Sequence, residues 1–126
     1  MRLLLDTHVV LWELQGERIV GPRAQEAVER ASELLFSVVS FAEIGVKAAI
    51  GKVAVPEDLH QHLLRSGLRI LGLAPDHGLG VAALPMHHRD PFDRLIISQA
   101  RCEGLTLLTA DARIADYDVA LIDARA

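Results

Sequence analysis

Short apolar runs alternate along this chain with amphipathic stretches, and the alternation predicts its elements. Leu3 to Asp6 reads as a short buried strand, followed by a helical pattern from Val9 to Leu14 that ends near Gly16. Gly21-Pro22 opens a second helix, with Ala24, Ala27, Val28 and Ala31 on one face and Glu26, Glu29 and Arg30 on the other. Leu34 to Val39 is a second apolar strand, and SFAEIGVKAAIGK a helix that stops at Gly51. Pro56-Glu57-Asp58 starts another helix, to about Ser66, before a third strand over Arg69 to Leu71. Pro75 to Leu84 is a short helix or helical turn closed by Pro85, and DPFDRLIISQARCEG is the clearest helix of all. Strands over Thr106 to Thr109 and Val119 to Ile122 complete the pattern.

Continuous apolar strands separated by helices predict parallel pairing with both sheet faces covered, an α/β fold. At 126 residues, with no repeat and no linker long enough to divide it, the chain is expected to form one domain over 1–126. In such sheets ligands bind beyond the carboxyl ends of the strands, where the strand order reverses. The residues that follow each strand are therefore the ones to inspect.

Those residues are acidic. Asp6 ends the first strand, and Glu43 follows the second in Ser40-Phe41-Ala42-Glu43. Asp111 follows the fourth in LTLLTAD, and the helix before that strand begins Asp90-Pro91-Phe92-Asp93. Each acid has a plain structural explanation. Ser40 with Glu43 is a capping-box pattern, and Asp90 with proline next to it is a helix N-cap. Asp6 and Asp111 could cap the segments that follow them. Caps, however, do not require every acid to lie at one edge of the sheet. Clustered carboxylates with no basic partner nearby repel one another, and a divalent cation relieves the repulsion. Oxygen donors without an obligatory Cys or His suit Mg²⁺ or Mn²⁺, and the natural chemistry is metal-assisted phosphodiester hydrolysis.

Net charge changes the picture in the opposite direction. At −4 the chain lacks the basic excess of most nucleic-acid binders, unless part of that charge belongs to a cation site. The single Cys102 excludes an internal disulfide and a multi-cysteine zinc site. No apolar run is long enough to span a membrane and no secretory signal is visible, so a cytoplasmic setting is expected.

MRLLLDTH, SVVSFAEIG, LPMHHRDPFDRLIISQA and LTLLTAD together resemble the motifs of PIN-domain ribonucleases, specifically the VapC-type toxins of toxin–antitoxin systems. The resemblance covers nearly the whole chain in order. It implies a three-layer α/β/α fold with a five-stranded parallel sheet in the order 3-2-1-4-5. The implied activity is a Mg²⁺- or Mn²⁺-dependent endoribonuclease, a dimer held inactive by a cognate VapB-type antitoxin. The acidic site carries over onto Asp6, Glu43, Asp93 and Asp111 as metal ligands and catalytic groups, with Asp90 a cap more than a ligand. Thr109 matches a hydroxyl position that could orient a ligand. Cleavage by water should leave 5′-phosphate and 3′-hydroxyl ends.

Among the other residues, His87, His88 and Arg89 could touch RNA phosphates or the antitoxin, or form a solvated loop. His60 and His62 stand two apart on a helix and share no face, which predicts plain surface. Val9, Val10, Leu11 and Trp12 could be core or a face that meets a partner. Two other functions use the same features. A phosphoaspartate phosphotransfer domain also places an aspartate after its first strand and a lysine nearby, here Lys47 or Lys52. A PIN-like binding module without turnover is the other.

Overall fold

The three central strands of the sheet are short apolar stretches largely buried on both sides, which is what parallel pairing under two helical layers demands. The computed structural model describes residues 1–17 and 19–126. Its strands are β1 (Arg2–Leu5), β2 (Glu33–Ser37), β3 (Leu68–Leu71), β4 (Thr106–Thr109) and β5 (Leu121–Asp123). They form one five-stranded sheet in the order β3-β2-β1-β4-β5, parallel at every pairing. The helices are α1 (Thr7–Leu14), α2 (Pro22–Arg30), α3 (Val38–Ala49), α4 (Leu59–Arg65), α5 (Pro75–Gly80) and α6 (Pro91–Glu103). Short 3₁₀ turns cover Val81–Ala83 and Ala112–Asp116.

Alternation along β1 divides the core. Leu3 and Leu5 pack with Phe36 and Leu108 against Val9, Val10 and Leu11 of α1, Ala24 of α2, and Leu59 and Leu63 of α4. Leu4 points the other way, with Leu35 and Leu107, onto Ile96, Ile97 and Ala100 of α6. Val9, Val10 and Leu11 are thus core residues. Trp12 is half-buried, with the Arg125 guanidinium 5.6 Å from its ring centre. An apolar cavity of about 300 Å³ also lies on this face, lined by Leu5, Val9, Val10, Leu63 and Leu68. It is separate from the acids. No helix among the described residues is long and apolar enough to cross a membrane.

The chain departs from the sequence reading at the β2–α3 junction. Val38 and Val39 read as the end of a strand, but the strand stops at Ser37. Ser37 is the N-cap: its Oγ accepts from the Val39 amide at 3.0 Å and donates to Gln99 Oε1 of α6. Ser40 is therefore not a cap. It lies inside α3, where its Oγ accepts from Thr7 Oγ1 at 2.7 Å, and Glu43 falls in the second turn rather than the first. A buried partner on α6 decides between two serines of equal intrinsic capping tendency. β5 likewise runs Leu121–Asp123, shifted from Val119–Ile122.

At α6 the local signals hold. Asp90 Oδ1 accepts from the amides of Phe92 at 2.8 Å and Asp93 at 3.3 Å, Pro91 takes the first helical position, and Gly104 closes the helix at φ 64°. Asp90→Ala is expected to lower stability by about 1 kcal/mol, read from the urea midpoint. A change below about 0.3 kcal/mol would mean that the cap contributes nothing here.

Candidate active site

The sheet order reverses between β1 and β4, so the two neighbouring strands at the centre lead away in opposite directions. Register places Leu5 beside Leu108, and the Asp6 amide donates to the Leu108 carbonyl at 3.0 Å. Asp6 and Thr109 thereby leave the sheet side by side. Thr109 Oγ1 donates to Asp6 Oδ2 at 2.7 Å and accepts from the Asp111 amide at 3.1 Å. Asp6 occupies the N-cap position of α1 without capping it through its side chain. Its other oxygen, Oδ1, is buried and without a partner among the described residues.

The remaining acids come from three further segments. Glu43 on α3 is 1% exposed; Oε2 accepts from Lys47 Nζ at 2.6 Å, one turn on, while Oε1 is buried and unpartnered. Asp93 sits in the first turn of α6, and Asp111 follows β4, where it caps the next 3₁₀ turn by accepting from the Arg113 amide. All four predicted acids thus converge at the carboxyl edge of the sheet, with Asp90 within the range of their charges.

Their electrostatics record the crowding. Burial pushes the Asp93 carboxyl up to about 8, with the charges of Asp6, Asp90, Glu43 and Asp111 adding to the rise. Burial also raises Asp6, against the Thr109 hydrogen bond and the charge of His8, while Glu43 adds to the increase. Burial works against the charge of Asp111 too. There, hydrogen bonds from the side chain and amide of Arg113 and from His88 outweigh it, and the carboxyl lies below its ordinary value.

The expectation of acids without basic partners needs correction. Lys47 sits on Glu43, and Arg113 holds Asp111 through Nε and Nη2, both at 3.1 Å. His88 is the largest departure. It is 4% exposed rather than part of a solvated loop. Its Nε2 lies 2.8 Å from Asp93 Oδ2 and 2.9 Å from Asp111 Oδ2, inside the acid cluster. Its main chain is held by Tyr117 Oη, which accepts from the His88 amide at 2.9 Å. Arg89 and His87 remain exposed.

Sequence reasoning missed Arg94. It is buried, and no carboxylate pairs with it among the described residues. Its Nη1 donates to the carbonyls of Pro85 (2.8 Å) and His88 (3.3 Å) and to Tyr117 Oη (3.2 Å). Its Nη2 donates to the carbonyls of Val81 and Leu84, both at 3.2 Å. The guanidinium thus ties the segment before α6 down and sets the path of His88. Its place one residue after Asp93, in the same short motif, was the signal available.

A family model for the PIN domain matches residues 3–120. The chain belongs to the PIN-domain family. Ribonuclease VapC22 of Mycobacterium tuberculosis is 30% identical to this PIN domain over 118 residues, 91% of either chain. Among solved structures, VapBC2 from Rickettsia felis, bound to a DNA fragment from its promoter, superposes with a TM-score of 0.73 at 16% identity, covering 98% of both chains. DNA-bound VapBC from Salmonella typhimurium gives 0.68 at 16% identity, again over 98% of both. These structures share the fold of the PIN domain described above. Family membership sets the phosphoaspartate alternative aside. Lys47 agrees, since its ammonium sits on Glu43 and not on the aspartate after β1.

The residues of this PIN domain suit a hard divalent cation. Asp6 Oδ1 and Glu43 Oε1 are buried acceptors with no donor, a costly arrangement that a cation would relieve. The proton linkage gives a test. Because the folded chain holds a proton on Asp93 that the unfolded chain has released, the contribution of this group is fully present below about pH 4 and is lost as pH rises through about 8, and the raised Asp6 acts in the same direction. In chelator, stability is expected to fall by roughly 2–4 kcal/mol between pH 6 and 9. Mg²⁺ or Mn²⁺ at a hundredfold excess over Kd should restore about 2.7 kcal/mol at pH 8. Thermal unfolding with and without EDTA reads both, and a metal-independent, pH-flat midpoint would contradict this account.

Proposed function

We propose that this chain is a metal-dependent endoribonuclease that hydrolyses RNA phosphodiester bonds, acting as the toxin of a toxin–antitoxin pair. The observation that carries the chemistry is the pair of buried, unpartnered carboxylate oxygens on Asp6 and Glu43, beside Asp93 and Asp111. The relative named as a ribonuclease, matched over nearly its whole length, supports RNA as the substrate. The VapBC neighbours support a VapB-type antitoxin as partner. A homodimer and a cytoplasmic setting complete the reading.

Asp6, Glu43, Asp93 and Asp111 would hold Mg²⁺ or Mn²⁺. A cation bound there lowers the pKa of water and stabilises charge on the leaving oxygen. The protein's own groups do the rest. Thr109 fixes the rotamer of Asp6 through its 2.7 Å hydrogen bond. Asp90 organises the α6 terminus and leaves Asp93 free for the site. A carboxylate of the cluster takes the proton of the attacking water, as its raised proton affinity suits. Exposed Arg89, with Lys47 and Arg113 at the rim, supplies positive charge for RNA phosphates around an otherwise acidic centre.

The test is cleavage of total RNA by the purified chain in Mg²⁺ or Mn²⁺, with end mapping. Cutting that EDTA stops, leaving 5′-phosphate ends, is expected. RNA left intact under all metal conditions would favour the binding module instead, and 2′,3′-cyclic phosphate ends would exclude water as nucleophile.

A further inference from the structure

His88 presents an imidazole nitrogen and two carboxylate oxygens, from Asp93 and Asp111, mutually within 4.8 Å, a grouping that could itself be taken for a metal site. The second ring nitrogen argues otherwise. A histidine that ligates a metal donates its other N–H to a carboxylate, carbonyl or water. Nδ1 of His88 instead faces the Asp90 amide at 3.2 Å, and a backbone amide can only donate. Nδ1 is therefore the acceptor, the ring proton sits on Nε2, and Nε2 has no lone pair to offer a cation. The ring's position is fixed by its backbone, which Tyr117 Oη and Arg94 Nη1 hold from two sides.

The donor assignment also sorts the acids. Both oxygens of Asp111 already accept, Oδ1 from Arg113 and Oδ2 from Arg113 and His88. Asp93 Oδ2 lies 2.8 Å from His88 Nε2, in charge contact with the ring whose N–H goes to Asp111, and Asp93 Oδ1 receives no hydrogen bond among the described residues. Resting on the cation-site reading above, we propose that His88 is a positioning residue and not a ligand: its Nε2–H, donated to Asp111 Oδ2, holds the imidazole edge against Asp93 Oδ2 and leaves Asp93 Oδ1 for the cation. The asymmetry makes Asp6, Glu43 and Asp93 the direct ligands and Asp111 the held member of the set.

Mn²⁺ bound to the full-length chain reports directly on this. Pulsed EPR should show no coupling to a directly ligated ¹⁴N. His88→Ala should weaken Mn²⁺ binding about 10-fold and lower kcat by a similar factor, with KM for RNA unchanged. His88→Gln places an amide N–H near the position of Nε2–H, and is expected to recover most of both losses. A ligated-¹⁴N signal that disappears in His88→Gln would overturn the proposal, as would wild-type affinity and turnover in His88→Ala. If His88→Ala does not fold, the wild-type spectrum and the glutamine variant decide. A wild-type chain that binds no Mn²⁺ would instead remove the cation-site reading, which separates that failure from this one.

Discussion

Asp6→Asn is expected to reduce metal-dependent RNA cleavage by about 10³-fold or more while leaving the metal-free chain folded. The carboxylate lies at the switch point of the sheet, 3% exposed, with one oxygen fixed by Thr109 and the other unpartnered. Removing its charge weakens the hold on the cation that stabilises the transition state, and a loss of about 4 kcal/mol there corresponds to three orders of magnitude. Asparagine keeps an oxygen for Thr109 and relieves a buried charge beside Glu43. The apo variant should therefore be at least as stable as the parent at pH 8, the reverse of what a structural aspartate would give. Cleavage rates and chelator-treated thermal midpoints, measured on one preparation, decide it. A variant that keeps full activity removes Asp6 from the site, and one that loses both activity and several degrees of stability makes it a structural residue.

Arg94→Met is expected to carry the largest stability cost of any single change near the site, roughly 3–5 kcal/mol. The guanidinium serves five acceptors at once: four carbonyls between Val81 and His88, and the Tyr117 hydroxyl. Methionine fills much of the volume but leaves those groups to find water or remain unpaired. Arg94→Lys keeps the charge on a compact ammonium with three donors, so it should recover less than half of the loss. Urea unfolding of both variants tests this, and an Arg94→Met chain within about 1 kcal/mol of the parent would show that the carbonyls are solvated without it. Where the variants fold, turnover should still fall, because the segment that carries His88 has lost its tether.

Much of this molecule is written locally. The leucines of β1 and β4 and the apolar face of α6 indicate a parallel sheet under two helical layers. Asp90-Pro91 and Gly104 mark the ends of α6 by rules that operate within a few residues. The acidic residues after the strands could be read from the sequence because the sheet rule says where ligands lie, and the family motifs placed them on Asp6, Glu43, Asp93 and Asp111. What could not be read locally was which groups meet those acids. Ser37 rather than Ser40 caps α3 because Gln99 waits across the core. His88 looked like a loop residue because nothing within its own segment reveals Asp111 or Tyr117, 23 and 29 residues further on.

The sequence by itself therefore determined the elements, their layering and the carboxylates at the edge of the sheet, since helix caps, hydrophobic alternation and strand ends are short-range properties. Only the tertiary structure decided which oxygens are left free. Asp6 reaches Thr109 across 103 residues, and Asp93 and Asp111 both meet the imidazole of His88. A carboxylate's availability to a cation depends on the donors around it in space, and those donors are brought there by the packing of elements distant along the chain.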